Sequence, residues 1–281
     1  MQSFYLAGLR ALRSFHIAQK DYIRSMERIS TGLRINRAAD DPAGLAISEK
    51  MRAQIRGLKQ ASRNAQDGIS LLNVADGALQ ETQAIIHRLR EIAVYAATGT
   101  LTDQERNALQ IEFNELVLAV DDIGKNTNFN TVPLLDGSRG DNPLMLQIGA
   151  NAGQNTDISL GNMQARALGL MDDEGNILSV FTPEEADAAI GRIDEALGKV
   201  SDQRAYIGAK TRRLEHTINN LENTAINLTE AESRIRDADI AEETMNMVKA
   251  QIRMQAALAR IAQAKVSQQM ILKLLWPNQI A

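Results

Sequence analysis

From Leu45 to about Thr98, Met51, Leu58, Ala65, Leu72, Leu79, Ile86 and Ala93 recur every seven positions. That spacing holds one apolar seam on one side of a supercoiled helix. A second row, Ala61, Gly68, Ala75 and Leu89, is mostly small, so a partner backbone can come close. At 1.5 Å per residue such a helix would be roughly 80 Å long. Far downstream, Ile193, Val200, Ile207, Leu214, Leu221 and Leu228 repeat the spacing. Their companion row carries Ile190, Leu197, Ile218 and Ala225, with Arg204 and Thr211 in the middle. The two seams predict an antiparallel coiled coil between regions distant in sequence; two unrelated amphipathic helices in a bundle are the alternative.

Between them, Thr102-Asp103-Gln104-Glu105 is a capping box: the Thr hydroxyl and the Glu carboxylate can satisfy the free amides of a following helix. Leu109, Phe113, Leu116, Val120 and Ile123 give that helix a buried stripe, while Ile111 and Leu118 fall on another face. Gly, Asn and Pro residues from Gly124 to Gly140 end it. The period then changes. Leu144, Leu146 and Ile148 alternate with Met145 and Gln147, and Ile158 and Leu160 alternate with polar residues after the turn-rich Gly149 to Gly153, predicting a small β-hairpin. Thr182-Pro183-Glu184-Glu185 is a second capping box, with Pro at the first helical position, where its missing N–H costs nothing.

The chain's ends form a third helical pair. Leu9, Leu12, Phe15, Ile23, Met26 and Ile29 stripe residues 3–30, whereas residues 240–275 are apolar on more than one face, with Leu258, Ile261, Val266, Leu274 and Leu275 among many alanines. A helix apolar all round must be enclosed. A monomer this thin has nothing to enclose it, so other subunits must. The expected self-assembly residues are therefore Leu9, Leu12, Phe15, Ile23, Met26, Leu258, Ile261, Val266, Leu274 and Leu275. The fold expected is mainly α: a long antiparallel coiled-coil rod built from the N- and C-terminal regions, with a small β-hairpin region in the middle.

Composition narrows the function. Aromatic residues supply 4% of the chain and there are no cysteines, which removes disulfides, thiolate metal sites and a Cys nucleophile. A net charge of -4 gives no footing for nucleic-acid binding as the main activity. The most apolar segment, Met254 to Trp276, is broken by Arg260, Lys265 and Lys273 and is a poor membrane span. The N-terminal apolar run, followed by Arg10 and Arg13, does not read as a cleavable secretion signal. His16, His87 and His216 lie in separate helices with no second His at ligand spacing. Asp40-Asp41 and Asp121-Asp122 are weak cation candidates, more simply read as helix-start or solvated pairs. No phosphate loop and no Gly-x-Ser-x-Gly elbow occur. No cofactor, metal or catalytic residue is expected.

The run from Ser25 through Arg34-Ile35-Asn36-Arg37-Ala38-Ala39-Asp40-Asp41-Pro42-Ala43-Gly44 to Ser48 strongly resembles the N-terminal region of bacterial flagellins. The resemblance continues through Asn64 to Leu72 and Asn126 to Gly137, and resumes from Ala231 to Glu243. It implies that residues 1–44 are an inner-tube helix plus a spoke from about Gly32 to Gly44. It further implies a rod of helices and hairpin region over 45–181, the rod's C-terminal long helix over 182–239, and an inner-tube helix over 240–281. The variable insert typical of the family is nearly absent, and with it any His-Glu-x-x-His metalloprotease motif. Phe4-Tyr5 and the segment Trp276 to Ala281 depart from the family's usual ends.

The function implied is that of a structural subunit polymerising into the flagellar filament, secreted and extracellular, with terminal helices that order on assembly. A hook–filament junction protein of the same superfamily is the alternative, and a metal-dependent enzyme built on Asp40 and Asp41 is a distant third. The implied partners are copies of the chain itself, an export chaperone and the secretion apparatus, and the hook-associated junction and cap proteins. A host innate immune receptor for flagellin is another; the matching residues are Arg88, within His87-Arg88-Leu89-Arg90-Glu91-Ile92, and Glu112, where His87 and Ile92 depart from the family's usual Gln and Leu.

Overall fold

A computed structural model describes residues 2–172 and 174–275. In chain order it runs α1 (Gln2–Thr31), α2 (Pro42–Ala96), α3 (Asp103–Asn126), β1 (Asn128–Phe129), β2 (Val132–Pro133), α4 (Ser138–Asp141), β3 (Leu144–Gln147), β4 (Asn155–Ile158), α5 (Ala165–Leu168), α6 (Pro183–Arg236) and α7 (Ile240–Leu275). Local chemistry sets the helix limits. Thr102 and Glu105 close both halves of the expected capping box on α3, and Thr182 with Glu185 does the same for α6. α1 stops at Gly32, whose φ of 72° is open to glycine and strained for other residues, and whose N–H returns to the Arg28 carbonyl.

The chain divides into two compact units, Gln54–Ile226 on one hand and Met1–Ala53 with Asn227–Ala281 on the other. The first holds the main core. Here α2 and α6 run antiparallel: Arg90 bonds Asp194, while Asp76, fourteen residues earlier on α2, bonds Arg204, ten residues later on α6. Leu72, Leu79, Ile86 and Ala93 meet Ile193, Val200, Ile207 and Leu214 in one continuous apolar cluster. Leu58 and Leu221 are also buried, but Met51 and Leu228, the outermost seam positions, are only half-buried. Phe113, Val117 and Val120 of α3 close the cluster on another side.

Strands β3 and β4 pair antiparallel from Leu144↔Ile158 to Gln147↔Asn155, as the alternation predicts. The expected small second row has a visible use. A Cβ at Gly68 would lie 2.6 Å from the Leu146 side chain of β3, so a larger residue there would make Leu146 shift. The same row contains a residue that an apolar reading passes over, Thr82, which is buried because its hydroxyl donates to the Ala78 carbonyl at 3.0 Å. β1, β2, α4 and α5 are short local turns that no periodic pattern announces.

Candidate functional site

The candidate functional surface is the pair of terminal helices. α1 and α7 run antiparallel, since Arg28 pairs with Glu243 at 2.7 Å and Asp21 with Arg253 at 3.5 Å. Their most buried positions are mostly small residues. Ala11, Ala18 and Ser25, each seven apart, are buried on α1, and Glu243, Ala250 and Ala257, also seven apart, are buried on α7. Alanine and serine along such rows let two helices approach closely.

The large apolar side chains lie elsewhere. Leu9, Leu12, Ile23 and Met26, expected from the sequence to serve self-assembly, are each close to half exposed. These four are thus turned away from α7, whereas Phe15 and Ile29 are half-buried beside the row of Ala11, Ala18 and Ser25. On α7 the same division holds. Leu258 and Val266 are exposed and Ile261 is half-buried, while the side chains of Leu274 and Leu275 lie outside the described residues. Met245, Ile252, Ala259 and Val266 recur every seven residues and form an outer row that is exposed along its whole length. Helix α7 therefore carries two apolar rows, one covered by α1 and one open. An exposed apolar row this long marks a contact surface.

At the base of this pair, residues 32–44 are tied to the stretch 235–243. The Arg34 N–H donates to the Arg236 carbonyl at 2.7 Å, and the Ala238 N–H to the Gly32 carbonyl at 2.9 Å. The Arg236 guanidinium, itself largely buried, donates to Glu49 at 2.6 Å. Asp40 and Asp41 have local structural work here. Asp41 accepts from the Gly44 N–H at 2.9 Å and so caps the start of α2. Asp40 accepts from the Arg37 and Asn36 N–H groups, and the Arg37 bond chiefly holds its carboxyl below its ordinary pKa. Among the described residues, no group of three or more His, Cys, Asp or Glu side chains could hold a metal ion, and no helix is long and apolar enough to cross a membrane.

In the other unit, Arg88 donates twice to Glu112, at 3.0 and 2.8 Å, and once to Glu91 at 3.0 Å. The two residues singled out by sequence thus form one exposed ion-paired patch joining α2 to α3. Arg204 sits in the middle of the long seam, bonded to Asp76 at 2.9 Å and to Gln83 at 2.7 Å.

Comparison with known proteins places these helices. Residues 3–139 match the bacterial flagellin N-terminal helical region and residues 190–275 the bacterial flagellin C-terminal helical region. The flagellar filament 31.3 kDa core protein of Treponema maltophilum is 45% identical over 90% of this chain and 91% of its own length. A flagellin of Halalkalibacterium halodurans is 46% identical over 96% of this chain and 97% of its own. Among solved structures, the crystal structure of Bacillus cereus flagellin superposes with a TM-score of 0.50 at 29% identity, covering 57% of this chain and 88% of that one.

Proposed function

This chain belongs to the bacterial flagellin family, a family of structural proteins, and from that premise we propose how it builds the flagellar filament as its subunit. The observation that carries the reading is the double row on α7. Its inner alanines pair with α1 inside one subunit, and its outer row, with Leu9, Leu12, Ile23 and Met26 of α1, is covered by neighbouring copies. Burying such side chains contributes about 1.5–3 kcal/mol each, so the terminal pair reaches its full order only inside the polymer. Ordering of the ends and growth of the filament are then one coupled event.

The unit built on the α2–α6 seam is the rod of the subunit. Before assembly the apolar outer row of α7 needs a cover, which suits an export chaperone and passage through the secretion apparatus as an extended chain. The hook-associated junction and cap proteins would meet the same terminal surfaces at the ends of the filament. The exposed Arg88 and Glu112 pair is the surface offered to a host innate immune receptor.

Negative-stain electron microscopy of the purified full chain tests the reading. Long polymers formed by this chain alone are expected. Purely monomeric protein under polymerising conditions would instead favour the junction role.

A further inference from the structure

Charge is distributed unevenly along the chain. Residues 1–26 carry four cations, Arg10, Arg13, Lys20 and Arg24, and one carboxylate, Asp21. Residues 244–281 carry five, Lys249, Arg253, Arg260, Lys265 and Lys273, and no carboxylate. The ends therefore hold a net charge of +8 in a chain whose total is -4. Among the described residues, the carboxylates pair with few of these cations: Arg253 meets Asp21 and Arg24 meets Asp40, both at the long end of ion-pair range.

Those cations stand beside the open apolar row. Lys249, Arg253 and Arg260 recur at helical spacing on the flank of Met245, Ile252, Ala259 and Val266, and all seven are exposed. Arg253 and Arg260 also rim a groove between α1 and α7, which Arg10 borders from the α1 side. α1 repeats the arrangement, with exposed Leu9, Leu12, Ile23 and Met26 alongside exposed Arg13, Lys20 and Arg24. A helix that joins a long apolar face to a basic flank is built to lie in the interface of an anionic bilayer, with apolar side chains in the acyl boundary and cations among the phosphates.

We infer that the unassembled subunit binds anionic membrane surfaces through α1 and α7, using the faces that neighbouring subunits cover in the filament. The inference rests on the assembly reading above, because the filament must hide what the membrane would bind. A bilayer fits both halves of the surface. A nucleic acid would satisfy the cations and leave Ile252 and Val266 in water. Near an anionic membrane each basic residue contributes about 1 kcal/mol, roughly a fivefold gain in affinity. Because that attraction is screened by salt, so is the binding.

The test uses the full chain held below its polymerising concentration, mixed with vesicles of phosphatidylcholine alone or of phosphatidylcholine with phosphatidylglycerol. The chain has a single tryptophan, Trp276, one residue beyond α7, and its emission is the readout alongside co-sedimentation. Binding and a blue shift are expected with the anionic vesicles only, with loss on raising salt. The double variant Lys249→Glu and Arg260→Glu should bind at least about tenfold more weakly, by the same charge argument, whereas Lys249→Arg with Arg260→Lys should bind as the parent does. Equal binding to both vesicle types, no binding to either, or full displacement by an oligonucleotide would overturn the inference. Microscopy of the same protein brought separately to polymerising conditions separates the two readings. Normal filaments without vesicle binding sink only the membrane inference, and absent filaments sink the assembly reading.

Discussion

At the scale of single residues, the most informative groups are the ones that close an otherwise costly gap. Arg106, on the first turn of α3, is buried and turns its guanidinium back onto the end of α2, donating to the carbonyls of Ala96 and Thr98. The last carbonyls of a helix have no partner within it. Arg106→Met should therefore strand them and lower the stability of the unit by about 1–3 kcal/mol, read as a lower urea midpoint with an unchanged slope. Leu79 is fully buried in the seam, and Leu79→Ala should cost about 2–5 kcal/mol through lost contact and the cavity left behind. Both are measured by the same unfolding curve, and wild-type midpoints would show that neither contact matters.

Asp40 gives a prediction with a pH sign. Its folded carboxyl titrates below its ordinary value because the Arg37 and Asn36 N–H groups bond the charged form. Its contribution to stability is thus present above the unfolded pKa of about 4 and is lost as pH falls through the lower folded value. Asp40→Asn should destabilise the chain at neutral pH and converge with the parent in strong acid. A constant difference between the two melting curves down to the lowest pH would show that the charge is not the cause.

Among elements, the long seams were legible in the sequence and the terminal pair was legible only in part, and a single physical difference explains both. In α2 and α6 the seven-residue rows consist of large residues that are also the buried ones, so Leu72, Leu79, Ile86, Val200 and Ile207 announce the contact. In α1 the buried row is Ala11, Ala18 and Ser25, while Leu9, Leu12, Ile23 and Met26 are close to half exposed. A pattern search weighted by side-chain size finds the outer stripe first. Ala189 and Ala196 of α6, and Val117 of α3, escaped for related reasons: more than one element packs around each helix, so its buried arc is wider than one seam. The capping boxes were readable because their chemistry is local, whereas the Arg106 bridge to α2 and the Arg204 bonds to Asp76 and Gln83 join residues that no short motif links. The alanine seam also makes a prediction. Ala257→Leu inserts a large side chain where the helices touch, and overpacking of this kind costs about 1–3 kcal/mol. Filament formation should weaken or stop while the melting of the α2–α6 unit stays as in the parent; unchanged filaments would mean that α1 and α7 do not pair through this row.

For the whole molecule, the question is which part folds alone and which part needs company. The unit spanning Gln54–Ile226 has a continuous core that includes fully buried Leu72, Leu79, Ile86, Phe113, Ile193 and Val200. The terminal pair has a row of alanines inside and long apolar rows outside. Fixing the backbone of each residue costs about 1–2 kcal/mol, and an alanine seam between two helices supplies little apolar area against it at about 25 cal/mol per Å². On the proposed assembly reading, the first unit meets that cost from its own core and the second draws on its neighbours. Limited proteolysis should accordingly trim the free subunit from both ends and stop near residues 40 and 240. The product should be helical, soluble and cooperative in unfolding, and it should fail to polymerise or to join a growing filament. Filaments assembled beforehand should resist the same protease at those ends, because the outer rows of α1 and α7 are then covered. A trimmed core that still formed filaments would place the assembly surface on the rod and remove the terminal helices from the mechanism.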